Sequence, residues 1–441
     1  MRTQLLSLSM LVTMSLGSAA ATAGDLMSAY QQARSSDPQF RSAEAARLAA
    51  QEVKTQARAG FLPAVNLGAS ASKSEGESTV KSTGATIDSD SSSTGYSLSL
   101  TQPIYRRTTY VNNKIADAQI AQSEADYQNA RQALILRLSE AYFGVLAAQD
   151  NLAFARAEKE AIARQLDQTK QRYEVGLIAI TDVHESQAAY DSAVAAEIAA
   201  ENRLNIARER LREITAVSIT ELSGLKTETP LVTPEPTDIE AWVKRALEQN
   251  LQLASLQQQV AVARQTVESA RSGHYPTLDL TAQHRYFDEQ KFTNTTLEDV
   301  TDTTIALQLN VPLYQGGATS SRVRQSRHQL TQAQEGYEQQ RRLIERATRS
   351  AYLDVVAGIS RVKALQQALV SSQSALEASE AGLEVGTRTT VDVLAARREL
   401  FRAQSNLAQA RYDYILATLR LQDAAGMLDE EDVATVNAWL Q

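Results

Sequence analysis

The decapeptide EVGLIAITDV at Glu174 to Val183 returns as EVGTRTTVDV at Glu384 to Val393, with Glu, Val, Gly, Asp and Val in the same places. The echo is part of a larger one. Gly60-Phe61-Leu62-Pro63 returns as Gly273-His274-Tyr275-Pro276, Gln102-Pro103-Ile104-Tyr105 as Val311-Pro312-Leu313-Tyr314, and Ala141-Tyr142 as Ala351-Tyr352. The offsets are 213, 209 and 210 residues, by subtraction of these numbers. A period this long indicates internal duplication, not a solenoid of short repeats. The expected division is a first unit over residues 24–233 and a second over residues 234–441. The Pro-rich stretch Lys226 to Thr237 joins them.

Each unit reads as helix, strand, loop, strand, long helix, turn, helix. The helical patterns span Asp25 to Ala59, Tyr105 to Arg172 and Thr181 to Ala216, then Asp238 to Ser272, Ala318 to Gly382 and Val391 to Ala425. At about 1.5 Å per residue, each middle helix reaches on the order of 100 Å. The two shorter helices of a unit together match it and could stack end to end beside it. Leu134, Leu138, Ala141, Val145, Ala148 and Leu152 step by four and three, as do Leu400, Ala403, Leu407, Ala410, Tyr414, Ala417 and Leu421. That is coiled-coil spacing, with Ala layers that let helices approach closely. A soluble helical bundle satisfies the same periodicity.

The strands point elsewhere. Tyr96, Leu98, Leu100, Gln102 and Ile104 alternate with small or polar residues, as do Ile305, Leu307, Leu309, Val311 and Leu313. Weaker alternations begin at Val65 and Leu278. Each segment is about the 9–11 residues that cross a bilayer as a tilted strand. Phe61, Tyr275, Tyr105 and Tyr314 flank them as an interfacial girdle, and Pro63, Pro276, Pro103 and Pro312 stand at the helix–strand junctions. The polar stretches Lys73 to Gly95 and Asp288 to Thr303 read as outer loops. Four strands cannot close a membrane barrel, because open edges would leave backbone groups unsatisfied in hydrocarbon. Two copies give eight strands and little room for a channel; three give twelve.

Residues 1–23 read as a secretory signal, with Arg2, an apolar run from Leu5 to Leu16, and Ala21-Thr22-Ala23 as cleavage site. The chain holds no Cys, which excludes disulfides and thiolate metal sites. A net charge of −8 argues against a nucleic-acid partner. The four histidines show no ligand spacing, and no HExxH, Walker or nucleophile-elbow motif occurs. An enzyme is therefore not expected, nor a cofactor or metal. Arg341-Arg342 and Arg397-Arg398 read as solvated faces.

Several segments together resemble those of the TolC-type outer-membrane factors: YQQARSSDP (Tyr30 to Pro38), EKEAIARQLDQTKQRYEVGLIAITDV (Glu158 to Val183), PTLDLTA (Pro276 to Ala282), PLYQGG (Pro312 to Gly317) and VGTRTTVDVL (Val385 to Leu394). The resemblance covers nearly the whole chain after residue 23. It implies a mainly α fold with a membrane β-barrel: a homotrimer whose twelve strands continue into a helical coiled-coil periplasmic tunnel. A mixed equatorial region would come from Val217 to Thr237 and Met427 to Gln441. The implied function is the outer-membrane exit duct of a tripartite efflux pump, a type I secretion system or both. Its partners would be a periplasmic adaptor, an inner-membrane pump or ABC exporter, and outer-membrane lipid. The alternative is a non-conducting structural coiled-coil protein of the envelope.

Gly176 and Gly386 suit the left-handed cap of a helix, and Asp182 and Asp392 the start of the returning one. On residue chemistry alone, both carboxylates are helix caps. The resemblance adds roles at a tunnel tip that closes like an iris. It implies that Asp392 lines the pore constriction, and that Arg388 links to Thr181 and Asp182 of a neighbouring coil. Gln165, Glu380 and Arg411 fall on closing-network positions, and the turns at Gly176, Leu177, Gly386 and Thr387 on an adaptor-docking surface. Two departures stand out. Ala395 replaces a second aspartate and Leu383 a latch tyrosine, so the mouth should be less negative and rely on Arg388.

Overall fold

The computed structural model describes residues 24–219, 221–226, 230–291 and 298–441; the expected signal segment lies outside the described residues. Helices α1 (Leu26–Ser36) and α2 (Pro38–Ala59) lead into strands β1 (Ala64–Thr79) and β2 (Thr86–Arg106), followed by α3 (Arg107–Glu174) and α4 (Ile180–Thr215). The order then recurs with α5 (Ile239–Gln249), α6 (Leu251–Ser272), β3 (Thr277–Lys291), β4 (Glu298–Asn310), α7 (Ala318–Glu384) and α8 (Thr390–Ala424), and α9 (Glu430–Asn437) closes the chain.

Each first helix is broken where the sequence reading ran it through. Asp37 ends α1 and caps α2, with ψ 118° and its carboxylate accepting from the Phe40 amide at 2.8 Å. Asn250 does the same between α5 and α6, with ψ 123°, and accepts from the Leu253 amide at 3.1 Å. The two caps are 213 residues apart, the offset of the first repeated motif. Arg137 of α3 reaches Asp37 at 2.7 Å, and the Asn250 amide donates to the Ala424 carbonyl at 3.2 Å. A short polar side chain that bonds the next turn competes with helix continuation; Pro38 reinforces the first break locally, and a tertiary partner supports each.

The strands form one antiparallel sheet in the order β1-β2-β3-β4. They have 16, 21, 15 and 13 residues, longer than a bilayer needs. Most of the two polar stretches expected as loops is therefore strand, paired from Ser72 with Ser93 out to Thr79 with Thr86. Ser and Thr run on into the ladder because its hydrogen bonds do not require apolar side chains. Pro103 ends no helix; it lies within β2 beside a register shift between Pro103 and Tyr105, a bulge where a missing N–H is tolerated. Consequently Tyr105 belongs to the strand and α3 begins at Arg107. Just past the bulge, Arg106 grips Asp279 of β3 through two bonds of 2.7 and 2.9 Å, which fixes the register. Phe61 meets Tyr110 edge-on at 4.9 Å, and Arg107 lies over the Tyr275 ring at 4.5 Å, so the aromatic flanks gather at one level.

Beyond the sheet, α2 and α4 pack successively along α3, while α6 and α8 pack successively along α7 and also against α3. The end-to-end stacking expected from helix lengths is thus present. Of the heptad positions, Leu134, Leu138, Val145 and Leu152 on α3 and Leu400, Ala403, Ala410, Tyr414, Ala417 and Leu421 on α8 are buried. The main core sits near the middle of the helices. There Leu225 bridges Leu440, Gly24 bridges Leu222, and the buried Tyr142 hydroxyl donates to the carbonyls of Gly24 and Ser223. No described helix is long and apolar enough to cross a membrane.

Candidate functional site: the tip turns

The far ends of α3 and α7 turn back through the repeated decapeptide. Gly176 and Gly386 have φ of +76° and +77°, a region that costs an L-residue with a Cβ roughly 1–2 kcal/mol. Both close the same double-bonded cap. The Gly176 amide donates to the Tyr173 carbonyl and the Leu177 amide to Arg172, each at 2.9 Å. In the second copy Gly386 donates to Leu383 at 3.2 Å and Thr387 to Gly382 at 2.8 Å. These pairings satisfy carbonyls that the helix end leaves open.

The returning helices differ in their caps. Thr389 and Asp392 bond reciprocally: Asp392 accepts from the Thr389 amide at 2.8 Å and hydroxyl at 2.9 Å, and Thr389 accepts from the Asp392 amide at 3.2 Å. Those bonds, aided by the Arg388 charge, hold the Asp392 carboxyl below its ordinary value. In the first copy Ala179 stands where Thr389 does, so only half the box remains, with Asp182 accepting from the Ala179 amide at 3.3 Å. The twin turns are therefore equivalent in backbone and unequal in grip.

Arg388, in the turn between α7 and α8, lies 4.0 Å from Asp392 of its own chain, and both side chains are well exposed. Its stem crosses Gly382 so closely that an added Cβ there would stand 2.6 Å from Arg388 Cγ. Sequence reasoning did not single out Gly382; its signal was a glycine one turn before a glycine cap. Thr181 is exposed and Asp182 half-buried. Val175, Leu177 and Val385 project apolar side chains more than 70% exposed. Leu383 turns inward instead, packing beside Leu376, Val393 and Leu400.

Gln165 and Glu380 meet at one cavity of about 650 Å³ between α3 and the α7/α8 pair, lined also by Arg172, Leu383, Glu384 and Arg397. Gln165 is buried there. Arg411 is not brought to this place: it lies 19 residues beyond Asp392 on α8, about 30 Å along a helix axis. Its guanidinium bonds the Lys226 carbonyl of the equatorial segment. Arg397, expected on a solvated face, is a correction. Its side chain is only 15% exposed, since Glu380 and a carbonyl of α3 both claim it.

The family model described as "Outer membrane efflux protein" matches residues 29–217 and 242–427. The outer membrane protein TolC of Vibrio cholerae serotype O1 is 42% identical over 438 residues, covering 98% of each chain. The alkaline protease secretion protein AprF of Pseudomonas aeruginosa is 29% identical over 417 residues, covering 94% of this chain and 86% of the relative. The outer-membrane channel OprN superposes with a TM-score of 0.76 at 20% identity, over 91% of this chain and 89% of that one, and so shares the fold. The open four-stranded sheet, the helical column and these likenesses agree: the chain belongs to the outer membrane efflux protein family, as an outer-membrane exit duct of the TolC type with a periplasmic extension.

Proposed function

We propose that three copies assemble into a passive duct that is gated at the tip turns and docks there onto a periplasmic adaptor. The observation that supports this most is the sheet: four long strands with β1 and β4 each paired on one side only, above helices of 68 and 67 residues. An open edge at membrane depth requires another chain. β4 of one copy beside β1 of the next, repeated three times, closes a barrel of twelve strands. An inner-membrane pump or an ABC exporter would supply the energy. Relatives named for protease secretion extend the cargo from small molecules to proteins.

At the mouth, three copies of Asp392 converge on the axis, and Arg388 of one coil engages Thr181 and Asp182 of its neighbour. The exposed Val175, Leu177 and Val385 offer the adaptor an apolar seat. Single-channel current through purified protein in a planar bilayer tests the reading. Wild type should pass a small, cation-selective current that a trivalent cation blocks from the tip side. Arg388→Ser should raise the current, and Asp392→Asn should remove the block while keeping the cap geometry. Absence of current from a folded trimer would leave a structural coiled coil instead. Cysteine at Leu177 or Thr387 should crosslink to the adaptor in cells.

A further inference from the structure

We infer that Arg397 is a positioning residue of the gate, the clamp that fastens the α7/α8 pair to α3 of the same protomer. Its Nη2 donates to Glu380 Oε1 on α7 at 2.5 Å, and its Nη1 donates to the Ala161 carbonyl on α3 at 3.0 Å. One planar guanidinium from α8 thus joins three helices, a geometry that lysine cannot reproduce from a single nitrogen. Farther from the tip Ser405 bonds Asn151 and Tyr412 bonds Asp150 across the same seam, but toward the tip it is thin. Near the tip the buried apolar contact across it is Leu394 with Ile162 and Ala193. Below that the polar cavity of about 650 Å³ separates the coils.

The two bonds have different mechanical roles. Glu380 travels with α7, so its bond to Arg397 survives any motion of the α7/α8 pair as a body. The Ala161 bond spans the seam and must break if that pair swings away from α3. Glu380 therefore orients the guanidinium, and Ala161 is what it holds. Arg398, the next residue, works in the same direction: its charge acts on the half-buried Glu158, three residues before Ala161 on α3.

The inference rests on the tip gate proposed above, and two readouts separate them. Spin labels at exposed Gln168 on α3 and Glu399 on α8 report the seam, and bilayer current reports the mouth. In full-length trimers, Arg397→Ala should lengthen and broaden the label distance, and raise the open fraction on the order of tenfold for one lost charge-assisted bond per protomer. Arg397→Lys, which keeps the charge and one donor direction, should fall between Arg397→Ala and wild type. Glu380→Gln should loosen the seam less than Arg397→Ala, because it removes the orienting partner and not the cross-seam bond. An unchanged label distance in a folded Arg397→Ala trimer overturns the clamp. A longer distance with unchanged current overturns the tip gate, and Arg397's part in gating with it.

Discussion

Asp392 was legible as a helix-start carboxylate from its place six residues after a glycine cap, and the structure shows it in both halves of a capping box. The pore-lining role proposed for it needs three chains, which one sequence reaches only through resemblance. Arg397 shows the opposite case. As one of a pair of arginines it looks solvated, and only tertiary packing reveals that Glu380 and Ala161 hold it. Asp423 was equally invisible. It is half-buried at the end of α8, and burial, with the charge of Glu140 nearby, raises its carboxyl above the ordinary 3.8. A raised carboxylate binds its proton more tightly in the folded state, so ionisation there opposes folding as pH rises past the ordinary value. Asp423→Asn should therefore raise the melting temperature at neutral pH. The gain should shrink as pH falls and vanish well below the ordinary 3.8, where the wild-type group is protonated in both states. Thermal melts at the two pH values check this; an equal shift at both would assign the effect to packing.

Helices, strands and turns were read with unequal success, for physical reasons. The long helices announce themselves through heptads that reach the core, and their ends through Gly176 and Gly386. The break at Asp37 carried a local signal that the reading passed over, because Pro38 disfavours helix at the residue before it and suits the first helical position; the break at Asn250 has no such mark and depends on the Ala424 carbonyl lying opposite. The strands were read short at their loop ends because apolar alternation marks only the membrane stretch, while the ladder continues through serines and threonines; at the other end β4 stops at Asn310, before the alternating Val311 and Leu313. The tip turns can be tested as elements. At Gly386 an added Cβ would meet nothing within 4 Å, so the cost of Gly386→Ala is backbone strain alone. At roughly 1–2 kcal/mol for an alanine in that region, amide protection at Thr387 and Arg388 should fall about tenfold. Hydrogen exchange should leave the equatorial amides near Tyr142 unaffected. Gly386→Asn should do less harm, since asparagine tolerates the left-handed region.

At the scale of the whole molecule, one chain is an unfinished object. Its sheet has two open edges, and both faces of β4 are exposed in a single copy. Chemistry tells the faces apart. Ile305, Leu307 and Leu309 lie on one side and are 72, 65 and 63% exposed, while Ala306, Gln308 and Asn310 lie on the other. If three chains close the barrel, the first set meets lipid and the second lines water. An arginine on the lipid face near mid-bilayer costs about 2–4 kcal/mol, and a trimer incurs that cost three times. Leu307→Arg should accordingly abolish trimers in the outer membrane. Gln308→Arg, one residue along and pointing inward, should leave trimers intact and shift the current toward anions, because three new charges face the same water column. Fractionation with trimer detection by unheated gel electrophoresis measures the first effect, and reversal potential in a salt gradient the second. If Gln308→Arg were the variant that lost trimers and Leu307→Arg the one that altered selectivity, the barrel would be inside out. The assignment of the apolar face to lipid, on which the duct depends, would then fall.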